Sequence, residues 1–414
     1  MARAGLQPRR QSSRLVRGTG AVLILAILYK IFFQSIAFPC LTSNSADRED
    51  EQDTKQEVDG FSWSCTRLEH PLMEGCEHLW LDEKNRRLYG TCSNFSRHED
   101  TPDSANVTHR DHVSVMEIDS PPGQSNAYNL YQLEIAEDFD GELNLHGLDA
   151  HRIGDQLRFW LINHRPSTEI ITEEDPEEDP EEKLNYTIEV FDLDEDTGTL
   201  LPVKTISSDA LDSPNNLAVD PIGDEILVIN DYLTKVGPFR GKLTGGEAYL
   251  SLCMTESGEC RMVANKGFEF ANGMVSDSHG RFYVSATTGS VVIYELEHGQ
   301  LKTLDSFGQQ MAIDRISVNA EDNLVITTFP GQFELQKASS DPHEPVVGAS
   351  IFSTARQKPD TTEPDKQGYE AYLLIEDEDG ELMPSTTIAV HDAKTDRLFL
   401  AGKFSRGISI CTRQ

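Results

Sequence analysis

The sequence predicts an all-β chain, a six-bladed β-propeller with an N-terminal transmembrane (signal-anchor) helix. Three observations predict it. An apolar strand, a polar Asp/Asn/Gly turn and a second alternating strand recur six times, at Leu79, Leu148, Leu217, Met274, Ile316 and Ile388. A polar residue stands two positions before each start: Glu77, His146, Asn215, Asn272, Asp314 and Thr386. Finally, one apolar run follows a basic N-terminal tail. A hairpin unit cannot bury its apolar faces alone, and packing such units radially buries them around a central channel. Equivalent strand-end positions then converge on that channel as a ring.

Taken in order, residues 1–17 form a basic cytoplasmic tail and 18–38 the anchor. The first 40 residues carry six basic groups and no acid. The segment from Gly18 to Phe38 spans a bilayer if Lys30 snorkels. Basic residues on its N-terminal side favour a type II orientation, with the body translocated into the secretory pathway. A cleaved signal peptide, with small Ser35 and Ala37 before the cut, is the rival and would give a secreted body. Residues 39–60 are charged and polar and predict a disordered stalk.

The body, 61–414, holds the six repeats. The intervals between their starts are 69, 69, 57, 42 and 72 residues. The shortest suits one four-stranded blade, so the others carry insertions. One is the acidic run ITEEDPEEDPEEKL at 171–184, read as a solvated loop. A second loose stretch is expected at 338–367. No helix of consequence follows the anchor.

Beyond residue 40 the chain carries 30 basic and 70 acidic residues. So acidic a body repels phosphate backbones and excludes nucleic acid as a partner. Export fits the cysteines. Cys76 and Cys92 flank one hairpin, Cys253 and Cys260 a short turn segment, and Cys65 and Cys411 lie at the two ends of the body. Those three pairs use six of the seven cysteines, although six cysteines allow fifteen connectivities. Three glycosylation sequons, at Asn94, Asn106 and Asn185, point to the same compartment.

Within the ring, Glu77, Asn215, Asn272 and Asp314 offer two carboxylates and two amide oxygens, the hard ligands that calcium takes. No Cys/His cluster has zinc spacing. An open position on such an ion polarises a carbonyl. His146 belongs to the same ring, and His164, in LINHRP, is placed behind it. A histidine beside a polarised carbonyl can take a proton from water.

These residues resemble the paraoxonase/arylesterase family, and more distantly the gluconolactonase (senescence-marker) family. KGFEFANGMVSDSHGRFYVS at 266–285 is similar to a hallmark stretch of paraoxonases. LNLHGLDAH, LINHRP, SPNNLAVD and AIDRISVN follow in the family's order, and the similarity covers about 65–411. The resemblance implies calcium in the channel of a six-bladed propeller. It implies hydrolysis of lactones and aryl esters, sometimes organophosphates, and a retained N-terminal hydrophobic segment. It assigns Glu77, Asn215, Asn272 and Asp314 to the catalytic calcium, His146 and His164 to a dyad that activates water, and Cys65–Cys411 to a closing disulfide.

Several positions depart from that pattern. Arg315 replaces an Asn ligand, and a guanidinium cannot ligate a cation. Pointing inward, it takes the ion's place and pairs with Glu77 and Asp314; pointing away, it leaves one ligand fewer. His78 and Asn216 replace two carboxylates of a structural calcium site, so one calcium or none is expected there. Phe329 stands where the family has a histidine. The alternatives to a hydrolase of small ester or lactone substrates are a non-catalytic, membrane-tethered lumenal binding propeller and a strictosidine-synthase-like enzyme.

Overall fold

The computed structural model describes residues 63–93, 111–120, 127–166, 184–230, 248–265, 271–309, 311–329, 348–356, 368–382 and 384–414. The tail, anchor and stalk segments, the sequons Asn94 and Asn106, and nearly all of the acidic insertion lie outside these residues. Among the described residues no helix is long and apolar enough to cross a membrane. The helical elements there are 3-10 turns at Pro71–Met73 and Ala127–Asn129.

Six sheets form, each started by one predicted hairpin. β1 (Trp63–Glu69) is set aside for closure. β2 (His78–Asp82), β3 (Arg87–Cys92), β4 (His112–Glu117) and β5 (Tyr131–Gln132) make the first blade. β6 (Glu134–Ile135) is a parallel edge on the second, whose other strands are β7 (Leu145–Ile153), β8 (Gln156–Pro166), β9 (Leu184–Asp194) and β10 (Thr199–Ser207). The third holds β11 (Pro214–Val219), β12 (Glu225–Asn230), β13 (Tyr249–Met254) and β14 (Cys260–Ala264). The fourth holds β15 (Ala271–Ser276), β16 (Arg281–Ala286), β17 (Ser290–Glu297) and β18 (Gln300–Gly308). The fifth holds β19 (Ala312–Val318), β20 (Leu324–Phe329), β21 (Ala349–Arg356) and β22 (Tyr369–Asp377). β23 (Ile388–Asp392), β24 (Arg397–Ala401) and β25 (Gly407–Arg413) complete the sixth with β1 as its outer strand. The stretch expected to be loose at 338–367 is corrected here: ASIFSTAR alternates as a strand does and forms β21.

The six first strands touch in cyclic order, β2, β7, β11, β15, β19, β23 and back to β2. Apolar clusters fill the wedge between every two neighbouring blades. One joins Leu79 and Leu88 to Phe399 and Ile408; another joins Tyr89 and Val115 to Leu148 and Phe159. The remaining four wedges are filled the same way. Closure is antiparallel, with β1 on β25, and Cys65–Cys411 bridges that pair. Cys76–Cys92 and Cys253–Cys260 form as well, so all three expected pairs are present.

At the turn end of the inner strands the sequence acts locally. Asp82 Oδ1 accepts the amides of Lys84 and Asn85, each at 3.1 Å. Asp220 Oδ1 does the same for Asp224 and Glu225, and Asn319 Oδ1 for Glu321 and Asn323. These side chains hold each hairpin by binding their own turn.

Candidate active site at the bulged mouth

The opposite end of the inner strands is irregular in a repeated way. Register breaks fall between Leu145 and Leu148, Pro214 and Asn216, Ala271 and Met274, and Ile313 and Ile316. Each break contains a predicted ring residue: His146, Asn215, Asn272 and Asp314. Bulges re-aim side chains and end regular pairing. Glycine makes two of them possible. A Cβ on Gly273 would lie 2.5 Å from Ser285 Oγ and 2.7 Å from the Asp314 carbonyl oxygen; one on Gly147 would lie 2.8 Å from Ile162 Cδ1. Ser285 Oγ accepts the Gly273 amide at 3.1 Å and so ties β15 to β16 at the break.

Glu77 is the hub. It precedes β2, its amide donates to the Thr91 carbonyl at 3.1 Å, and its neighbour Cys76 is disulfide-bonded. Arg315 Nη2 donates to Glu77 Oε1 at 2.8 Å, and His146 Nε2 lies 3.2 Å from the same oxygen. Lys403 Nζ lies 3.1 Å from Oε2. Burial alone would raise the Glu77 pKa, but the His146 N–H directed at it and the cationic Lys403 and Arg315 overcome it and hold the carboxyl well below its ordinary range. Of the two directions open to Arg315, the structure shows the inward one. The side chain is only 2% exposed, and its Nη1 is buried with no hydrogen-bond partner. Asp314 is held instead by Asn272, whose Nδ2 donates to Oδ1 at 2.5 Å. Burial pushes Asp314 up to about 6, with Glu77 adding and Arg315 opposing.

The two histidines divide their roles by tautomer. Arg315 Nη2 also lies 3.3 Å from His146 Nδ1. A guanidinium only donates, so Nδ1 accepts and Nε2 carries the proton toward Glu77. Burial keeps His146 well below its usual pKa, so the ring is neutral with both nitrogens engaged. His164 Nε2 donates to the Pro214 carbonyl at 2.8 Å. Burial lowers its pKa too, and the lone pair of the neutral ring sits on Nδ1. The two rings stand 5.0 Å apart between centroids.

Other expected residues are placed less centrally. Asn215 Oδ1 is buried and unpaired. Asn216 spends its oxygen on the Leu217 amide at 2.9 Å. His78 is buried with neither nitrogen paired, and burial, then Arg315, pushes it down to about 3. Phe329 packs against Ala312 and Phe404. Two mouth residues were not foreseen, Lys403 and Asp111. Asp111 Oδ2 accepts the Leu145 amide at 2.7 Å, and burial lifts its pKa to about 7. Lys403 follows β24, and Asp111 precedes β4. The usable signal was position: strand ends at this mouth, the same criterion that singled out His164.

The donor set can be tested against calcium. Both Glu77 oxygens already face cationic groups, and Asn272 turns its amide hydrogens, not its oxygen, toward Asp314. A divalent ion on Glu77 would sit against a guanidinium. At ~4 Å and an effective dielectric near 20 that repulsion is about 8 kcal/mol. As arranged, Glu77, Asn215, Asn272 and Asp314 do not fit the ion together. A different cluster, Asp277, His279 and Asp322, brings its ligand atoms within 4.8 Å of one another. Asp277 there is already bonded to Arg281, to Tyr283 and to two turn amides, so it belongs to the turn architecture. A cavity of about 390 Å³ opens toward that turn end; its walls include His78, Trp80, Leu148 and Met274, but not Glu77, His146 or Asp314.

Comparison with known proteins agrees with the sequence resemblance. The family model described as arylesterase matches residues 179–391, just over half of the chain. No curated protein matches it in sequence. Similar solved structures include a gluconolactonase of Xanthomonas campestris, at TM-score 0.44 and 14% identity, covering 87% of this chain and 99% of that one. A catalytically inactive virginiamycin B lyase of Staphylococcus aureus is similar at TM-score 0.42 and 10% identity, covering 85% and 99%. The six-bladed propeller and the matched family model together place the chain in the arylesterase family.

Proposed function

We propose that the chain hydrolyses carboxylic esters or lactones at the bulged mouth. The observation that carries this reading is the cluster of Glu77, buried His146, Arg315 and Asp314, and half-exposed Lys403, set beside His164. Arg315 Nη1 is a buried donor without an acceptor, which an oxyanion developing on a carbonyl could fill. His164 Nδ1 carries the imidazole lone pair that no guanidinium opposes. Water attacks the carbonyl carbon and its proton passes to His164. The C–O bond then breaks and that proton goes to the leaving oxygen, giving an acid and an alcohol, or one hydroxy acid from a lactone. His146, locked between Arg315 and Glu77, positions the guanidinium. The dyad expected from sequence is thereby reordered, with His164 as base and His146 as positioning residue.

A second reading keeps the calcium that the resemblance implies, on Glu77, Asn215, Asn272 and Asp314. The unpaired Asn215 Oδ1 favours it, and it requires Arg315 to release Glu77. We also propose a non-cytoplasmic location for the body, supported by its three disulfides.

The test is turnover of phenyl esters and lactones by the purified full chain. His164→Gln should lower kcat/KM by ~100-fold or more with the melting temperature nearly unchanged. Undiminished turnover in that variant removes His164 from the mechanism. Absence of turnover across the substrate panel moves the chain to the binding-propeller reading.

A further inference from the structure

We propose that Arg315 is the resident cation of the ring, a fixed guanidinium standing in for a divalent metal, so that the folded site carries no calcium. The inference rests on the bulged mouth being the working site, but its readout is metal binding and not turnover.

The bulge in β19 is the structural cause. In a regular strand Asp314 and Arg315 would point to opposite faces. The break between Ile313 and Ile316 lets both approach the ring. Asp314 meets Asn272 from β15, while Arg315 reaches across the channel to Glu77 and His146, 238 and 169 residues away in sequence. Glycine at 273 lets the two bulged strands close on each other: its Cβ position lies 3.0 Å from the Arg315 Cα.

Charge makes the same point. Two acids, Glu77 and Asp314, face two fixed cations, Arg315 and Lys403. A divalent ion added to that set leaves an excess of two positive charges beside a guanidinium that is itself buried, a costly arrangement. Arg315 Nη1 keeps one donor unspent, so the guanidinium can serve an oxygen of the substrate while Nη2 stays on Glu77. Geometry also explains why lysine is a poor substitute here. Only a fork can bond Glu77 and His146 and still present a second nitrogen.

The experiment uses purified full-length protein with calcium chloride or a chelator as the probe. Metal content after dialysis and the melting temperature are read for wild type, Arg315→Asn and Arg315→Gln. The expected result is wild type free of stoichiometric calcium, with a melting temperature indifferent to either reagent. Arg315→Asn should gain a calcium-dependent rise of roughly 5 °C at a hundredfold excess over Kd, and the added change Asp314→Asn should abolish that gain. One equivalent of calcium in wild type, lost in Asp314→Asn, overturns the proposal. So does a folded Arg315 variant that remains blind to calcium, because the guanidinium is then not what keeps the ion out. The wild-type metal content decides the matter even where neither substitution folds. Loss of the hydrolase reading would appear separately, as absent turnover with these metal results unchanged.

Discussion

The two ends of the inner strands are built from the same residue types and do different things. At the turn end, Asp82, Asp220, Asp277 and Asn319 accept amides two to five residues ahead in their own hairpins, and bonds to the next blade, Arg152 to Asp82 and Asn319 with His391, are added to these. Asp277 is further bonded to Arg281, four residues on, and to Tyr283. At the bulged end, partners come from other blades: Asn272 with Asp314, 42 residues apart, and Arg315 with Glu77, 238 apart. Buried polar atoms there stay unpaired, on Asn215, Arg315 and the adjacent His78. A polar group answered by its own turn builds structure. A polar group answered only across the channel, with valence left over, is available to a ligand.

The largest effect that sharpens this contrast is expected at Asp277. Asp277→Asn leaves the buried Arg281 guanidinium without its carboxylate and should cost about 3 kcal/mol or more in urea unfolding. Turnover per folded molecule should stay at the wild-type level. A specific loss of turnover with stability intact would break the contrast, since the turn end would then be part of the site.

A smaller effect is expected from Asp220→Ala. It removes the acceptor for the Asp224 and Glu225 amides, at 2.7 and 2.8 Å, from one hairpin. The cost should be about 1–2 kcal/mol, read as a shifted denaturation midpoint with an unchanged slope. A changed slope would mean that the turn has altered more than its own hairpin.

A last effect, read as a slope against pH and not as a single loss, is a pH dependence at the bulged end. The Asp111 carboxyl, pushed up by burial, has a folded value of about 7 against 3.8 in the open chain. The folded chain therefore holds more protons than the unfolded chain between those values. This group's contribution to stability falls as pH rises through that window and levels off above about 7. Asp111→Asn should flatten that part of a stability profile measured from pH 4 to 8. An unaltered profile would show that Asp111 does not feel the buried mouth.

Much of the fold was legible because it is local. Each hairpin advertises itself through alternation and an Asp or Asn at its turn, and six repeats leave a propeller as the way to bury every wedge. Glu77, His146, Asn215, Asn272 and Asp314 were legible for a related reason: they share one offset, and a repeated unit places equal offsets at equal depth. Strand β21 was missed because its short alternating run lies among turn-forming residues. Lys403 and Asp111 were missed because neither falls at the repeated offset, although both sit at strand ends facing this mouth.

The sequence by itself thus determined the blade count, the ring positions and the three cysteine pairs as candidates, since all depend on pattern and spacing along the chain. Only the tertiary structure decided what the ring contains. Whether Arg315 turns in or out depends on a bulge in β19, on the closeness that Gly273 allows, and on a glutamate 238 residues away. The histidine tautomers follow from the same contact, because a guanidinium that can only donate makes one nitrogen of His146 the acceptor. Such facts have no local signal: they are settled by which groups meet when the six blades close.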